Sequence, residues 1–179
     1  MKTVLFVLRL ALTLLAITAV VAVALAGVNM ITAPAIAELN AQNTQAAIQA
    51  VLPGGGEELA SFPAVDLVSK VYASDSGYAV QVTPGGFDNT ITMMVGVDKS
   101  GNVLGIDVIS HTETAGLGAV SDADTPAGIA FREQFKGVTG SVSVTKDGGQ
   151  MDAITGATIT SRAVCAGVNA ALECVAQMG

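Results

Sequence analysis

Hydrophobic and polar positions follow three different rhythms along the chain. The first is no rhythm at all: Leu10 to Val28 is an unbroken uncharged run, and Arg9 is the only charge between Val4 and Met30. A helix needs about 20 such residues to cross a bilayer, so the pattern predicts a single transmembrane helix within residues 1–31. A cleaved signal peptide is the competing reading, because Ala24-Leu25-Ala26 offers a small-x-small site. The apolar run is longer than the roughly 7–15-residue core of such peptides, which favours a retained anchor. Lys2 and Arg9 precede the run and the next basic residue is Lys70. The positive-inside rule then places the N-terminus in the cytoplasm and the rest of the chain outside.

Residues 32–56 carry scattered apolar positions, Ile36, Leu39, Ile48, Val51 and Leu52, between Pro34 and a Pro53-Gly54-Gly55-Gly56 stop. They predict a polar juxtamembrane helix with Pro34 in its first turn. From residue 57 to 179 the pattern becomes that of a folded domain. Strand-like runs occupy Val65 to Ser74, Tyr78 to Thr83, Thr90 to Asp98 and Val103 to Ser110, separated by Gly-, Asp- and Pro-rich turns. Short turns of this kind predict a meandering antiparallel sheet. A short helix around Pro126 to Phe135, a strand at Ser141 to Thr145 and a last helix from about Thr160 to Met178 follow. Strands first and helices later indicate an α+β fold with helices on one side of the sheet.

Composition narrows the function. Aromatic residues make up 4% of the chain, there is no Trp, and the net charge is −7 with every carboxylate after residue 37. Such a body repels phosphate backbones and offers few rings for stacking bases, which argues against a nucleic-acid partner. Cys165 and Cys174 lie nine positions apart in one predicted helix, on opposite faces, so they are expected as buried small hydrophobes. Two cysteines and the single His111 make no standard zinc spacing. Neither a nucleotide-binding glycine motif nor an iron–sulfur cysteine cluster is present.

Candidate chemistry concentrates at Asp152 to Arg162, DAITGATITSR, where four hydroxyl-bearing residues surround a Gly-Ala pair just before the last helix. A helix start with free amides attracts a phosphate, and Gly156 lets the backbone come close. The alternative is that Thr155, Thr158 or Thr160 only caps the helix.

The stretch DAITGAT resembles the Asp-x-x-Ser/Thr-Gly-Ala-Thr pattern of the FMN-binding domain family, in which a flavin transferase links FMN by a phosphoester to the last Thr. SHTETAGLG, Ser110 to Gly118, is similar to the family's His-x-Glu-Thr-Pro-Gly-Leu-Gly, with Ala115 in place of Pro. Motif order, length and the single anchor most resemble the G-subunit branch of Rnf-type electron-transport complexes. The C subunit of the sodium-pumping quinone reductase is the cousin. The resemblance implies that Thr158 bears covalent FMN, with Asp152, Thr155, Gly156 and Ala157 as the recognition element and Thr160 as fallback acceptor. His111, Glu113, Thr114, Gly116, Leu117 and Gly118 would form the other wall of the flavin site, with the loop loosened by Ala115. It further implies a single-pass protein of the bacterial inner membrane with its FMN domain extracytoplasmic. Such a protein relays electrons among the other membrane subunits of a ferredoxin:NAD+ oxidoreductase that moves Na+ or H+, and is not catalytically complete alone. The rival of a different class is an exported binding or structural module without cofactor.

Overall fold

The computed structural model describes residues 2–178. The chain divides into two compact units, residues 1–42 and 43–179. Helix α1 (Lys2–Val51) enters both. Within the first unit its apolar side chains from Val4 to Leu39 are exposed. The stretch starting at Val4 is long and apolar enough to cross a membrane. Thr13, Thr18 and Thr32 turn their hydroxyls back to the carbonyls of Arg9, Leu14 and Val28 at 2.8–2.9 Å. These three hydroxyl protons are satisfied within the helix, which a lipid-embedded segment requires. Pro34 lies inside α1, not in the first turn of a separate helix.

The second unit is built on a five-stranded antiparallel meander in the order β1 (Glu57–Glu58), β2 (Val68–Ala73), β3 (Gly77–Val82), β4 (Thr92–Asp98) and β5 (Val103–Ser110). Two short helices of 3₁₀ type, Gly118–Ser121 and Thr145–Asp147, flank α2 (Pro126–Glu133), and α3 (Thr158–Ala176) ends the fold. Thr125 caps α2 by accepting from the Gly128 amide at 3.2 Å, with Pro126 following at the first helical position.

Period-2 alternation divides the sheet residues between two cores. Val71, Val80, Val82, Met93, Val95 and Val97 join Val164, Val168, Ala171 and Val175 of α3, with Phe131 and Phe135 edge to face at 5.5 Å. Tyr72, Ala79 and Met94 point the other way and meet Ala47, Ile48, Val51 and Leu52. This corrects the one-sided arrangement expected from the sequence. Residues 47–52 cover the second face, so β4 is buried on both sides and reads as a continuous apolar run. Close approach depends on Gly96, which pairs with Ala79: a Cβ there would run into the Val51 carbonyl.

A second correction concerns Ser141 to Thr145. The alternation is real, with Val142 and Val144 buried and their neighbours more exposed, yet no strand forms. Asn169 of α3 takes the place of a pairing strand, its Oδ1 accepting from the Val142 amide at 2.8 Å and its Nδ2 donating to the Val142 carbonyl at 2.9 Å. Only an isolated parallel bridge, Val144 to Met151, remains. Cys165 and Cys174 are free and buried in α3. Burial, aided by the charge of Asp147, pushes the Cys165 thiol up to about 11.

Gly96→Ala is expected to destabilise the protein by about 1–3 kcal/mol through forced separation of sheet and helix end. Gly85→Ala, where an added Cβ meets nothing within 4 Å, should leave the unfolding midpoint near that of wild type. Urea unfolding of the full chain in detergent compares them.

Candidate functional site

One carboxylate ties three separate chain segments into a single site. Glu113, 7% exposed, lies just beyond the end of β5. Its Oε1 accepts from the Phe87 and Asp88 amides at 2.8 and 3.3 Å, which fixes the loop between β3 and β4. Its Oε2 accepts from the hydroxyl of Thr160, 1% exposed, in the first turn of α3. Gly86 and Gly118 leave the space that this convergence needs, because a Cβ on either would meet the Glu113 carboxylate. Burial opposes ionisation of Glu113, but the Thr160 hydroxyl, the two amides and His111 outweigh it and hold the carboxyl below its usual range.

The loop that opens α3 is shaped by its own turn. The Ala157 amide donates to the Ile154 carbonyl at 2.9 Å, and Gly156 takes φ +78° at the third position, as a turn of this type requires. Ser161, fully buried, braces it by accepting from the Ile154 amide and donating to the Ala157 carbonyl, both at 3.0 Å. Thr155 stands exposed on the turn. The N-cap residue of α3 is Ala157, with no side-chain cap, so capping does not account for the threonines. Among the described residues no hydrogen bond takes up the amides of Thr158, Ile159 and Thr160. Three donors at the positive end of a 19-residue helix are therefore available.

Glu113, Thr114, Leu117 and Gly118 face Gly156, Ala157 and Thr158 across a cleft of about 240 Å³, together with Phe87, Ile159 and Thr160. Phe87, Leu117 and Ile159 are 67%, 43% and 48% exposed and give it an apolar rim. The other sequence candidates lie outside this cleft. Asp152, Thr155 and Gly116 line a neighbouring one with Gln134 and Phe131. The Asp152 backbone is held there by Gln134, whose Oε1 accepts from its amide at 2.7 Å and whose Nε2 donates to its carbonyl at 3.3 Å. His111 accepts from the Glu113 amide through Nδ1 at 3.2 Å, and its Nε2 lies 3.8 Å from Asp122. It braces the wall and lies off the cleft lining.

Two residues of the site, Phe87 and Lys146, carry no clear mark in the sequence, and a third, Thr160, has a different role from the one expected. Phe87 follows Pro84-Gly85-Gly86, and an aromatic at a turn tip is the signal that could have pointed to it. Thr160, the fallback acceptor, is spent on Glu113 and enclosed. Lys146, from the 3₁₀ turn, donates to the Thr158 hydroxyl at 3.0 Å, a contact across twelve positions without local sequence signature.

Because the Glu113 carboxyl is depressed in the folded chain, its contribution to stability is fully present above the ordinary value near 4.5 and is lost as pH falls through the lowered one. Glu113→Gln is expected to cost about 1–3 kcal/mol at neutral pH and to flatten the loss of stability on acidification. Urea unfolding of both proteins between about pH 3 and 7 measures the two effects.

Comparison with known proteins converges on the same region. Residues 86–173 match the FMN-binding domain family, a span that starts at the loop held by Glu113 and ends within α3. The chain is 35% identical over 191 aligned positions to the G subunit of the Na+-translocating ferredoxin:NAD+ oxidoreductase complex of Acetobacterium woodii, covering 93% of this chain and 90% of that one. The G subunit of the ion-translocating oxidoreductase complex of Vibrio vulnificus is 42% identical over 97 residues, 52% of this chain and 46% of the relative. That of Aliivibrio fischeri is 41% identical over 104 residues, 54% of this chain and 48% of the relative. The chain spans about half the length of these two relatives. With identity sustained along nearly the whole of both chains in the first case, and with the cleft-forming motifs inside the matched domain, the protein belongs to the FMN-binding domain family represented by these relatives.

Proposed function

We propose that this protein is a membrane-anchored electron carrier in an ion-translocating ferredoxin:NAD+ oxidoreductase complex, with FMN esterified through its phosphate to Thr158. The observation that carries the reading is the position of Thr158. It lines the apolar-rimmed cleft, on the first residue of an uncapped helix, inside the matched FMN-binding domain.

The residues present fit the group. The free amides of Thr158, Ile159 and Thr160 supply donors for phosphate oxygens. Gly156 keeps the entrance open, since a Cβ there would press on Leu117 at 2.9 Å. Leu117, Ile159 and Phe87 offer apolar walls for a flat ring, and Thr114 adds a hydroxyl. FMN, when bound, takes up and passes on one or two electrons. A cleft of about 240 Å³ falls short of the roughly 300–1,000 Å³ that encloses a drug-sized ligand. It would grip part of a three-ring flavin and leave the remainder at the surface, where a partner's redox centre can approach. Glu113 holds both walls at fixed spacing, and a rigid site of this kind limits reorganisation when charge arrives.

A threonine hydroxyl has no useful acidity of its own, so attachment calls for a separate flavin transferase. The exposed turn at Thr155 and Gly156, with Asp152 beside it, is a surface that such an enzyme can grasp. The anchor is assigned to residues 1–31, the connecting segment to 32–56 and the FMN domain to 57–179. The N-terminus lies in the cytoplasm and the domain outside the bacterial inner membrane, with the other membrane subunits of the complex as donor and acceptor. Covalent attachment would keep the cofactor from escaping into the extracytoplasmic medium.

The full chain, produced in a host with a flavin transferase, should gain the mass of one FMN less water. The modified peptide should map to Thr158, and Thr158→Ala should abolish both the mass gain and in-gel flavin fluorescence. A bare wild-type chain from such a host defeats the reading. Protease added outside spheroplasts should digest the domain and leave the anchor; protection until the membrane is broken would reverse the orientation.

A further inference from the structure

We propose that Lys146 is the positioning residue for the phosphate that links FMN to Thr158. This rests on the covalent reading above. Lys146 Nζ lies 3.0 Å from the Thr158 Oγ1, the oxygen that would carry the phosphoester. Arg162, in the same helix as Thr158, is already committed to Asp147. Among the described residues Lys146 is in no ion pair, although the chain has 15 carboxylates to 8 basic side chains. Its polar contact is with a neutral hydroxyl. An ammonium ion held against a neutral oxygen, in a protein so acidic, gains most when that oxygen acquires a negatively charged substituent.

The turn that carries Lys146 is fixed on both sides. Asp147 accepts a two-pronged contact from Arg162, with Nε and Nη2 each at 2.6 Å. That pair fastens the turn to the second turn of α3 and takes up both oxygens of the Asp147 carboxylate, which Lys146 reaches only through its charge. Backbone bonds between Thr145 and Met151 at 2.8 Å and between Met151 and Ser143 at 3.1 Å close the loop behind it, with Gly148 at φ +82°. Lys146 is thereby aimed at Thr158 by its neighbours.

Non-bridging oxygens of a phosphodiester lie only two bonds beyond Oγ1. The Lys146 ammonium and the unpaired amides of Thr158 to Thr160 would be the donors available to them. Lys146 forms no covalent bond in this arrangement. A flexible point charge with three donors can follow the oxygen shift when a hydroxyl becomes an ester.

The test uses full-length wild type, Lys146→Gln, Lys146→Arg and Thr158→Ala, each produced with a flavin transferase. Intact mass over time gives the loading rate, and the ³¹P resonance of the loaded protein reports the surroundings of the phosphodiester. Lys146→Gln should load more slowly by roughly tenfold at low salt, the scale of one charge-assisted hydrogen bond, with the difference shrinking as salt rises. Its ³¹P resonance should be displaced from the wild-type position, Lys146→Arg should restore both readouts in large part, and the melting temperatures should agree because Lys146 is exposed. An unmoved ³¹P resonance in loaded Lys146→Gln overturns the proposal whatever the loading rate, while leaving Thr158 as acceptor intact. A wild-type chain without flavin, or flavin that persists in Thr158→Ala, overturns the covalent reading and this proposal together.

Discussion

Burying a carboxylate is costly unless every lone pair finds a donor, and the site around Glu113 is organised by that cost. The two amides of the Phe87–Asp88 loop and the Thr160 hydroxyl come from segments far apart in sequence. All three must be in place for the charge to be tolerated. The same requirement explains the small residues around it, since Gly86 and Gly118 have no room for a side chain. Glu113 therefore sets the distance between the β-sheet wall and the helix that presents Thr158. Charge satisfaction, more than apolar packing, gives the cleft its width.

The apolar framework serves that arrangement from beneath. Helix α3 is fixed to the sheet by Val164, Val168, Ala171 and Val175, so its first turn is held without a capping side chain. A cap would have consumed one of the amides that the proposed phosphate needs. On the opposite face, residues 47–52 close over Tyr72, Ala79 and Met94. Both faces of β4 are then dry, which stiffens the ground on which Glu113 and the 111–118 loop rest.

Much of this was legible from the chain alone, for reasons that differ by element. The four strand-like runs from Val65 to Ser110 are apolar, short and punctuated by Gly- and Asp-rich turns, so local physics decides them. The N-terminal helix is equally plain, because the uncharged run from Leu10 to Val28 is long and apolar enough to cross a membrane. The strand expected at Ser141 to Thr145 failed for a tertiary reason: its alternation is genuine, but Asn169 supplies the pairing from a helix 27 positions away. The cover on the second face was hidden by the sparse apolar pattern of residues 32–56. Within the site, the motif residues Glu113, Thr114, Leu117, Gly118 and Gly156 to Thr158 converge on one cleft. Asp152 and Thr155 fall next door, with Gly116 of the other loop, because the turn at Gly156 divides its segment between two hollows. Lys146 and Phe87 are placed by chain folding, so no periodicity marks them.

The two sulfhydryl groups of α3 bear on the chemistry next to them. With the Cys165 thiol raised to about 11 by its dry surroundings, it stays protonated at neutral pH. Mixed-disulfide exchange with small oxidants is correspondingly slow. Sulfur chemistry is thus kept out of competition with the redox chemistry proposed at the start of the same helix.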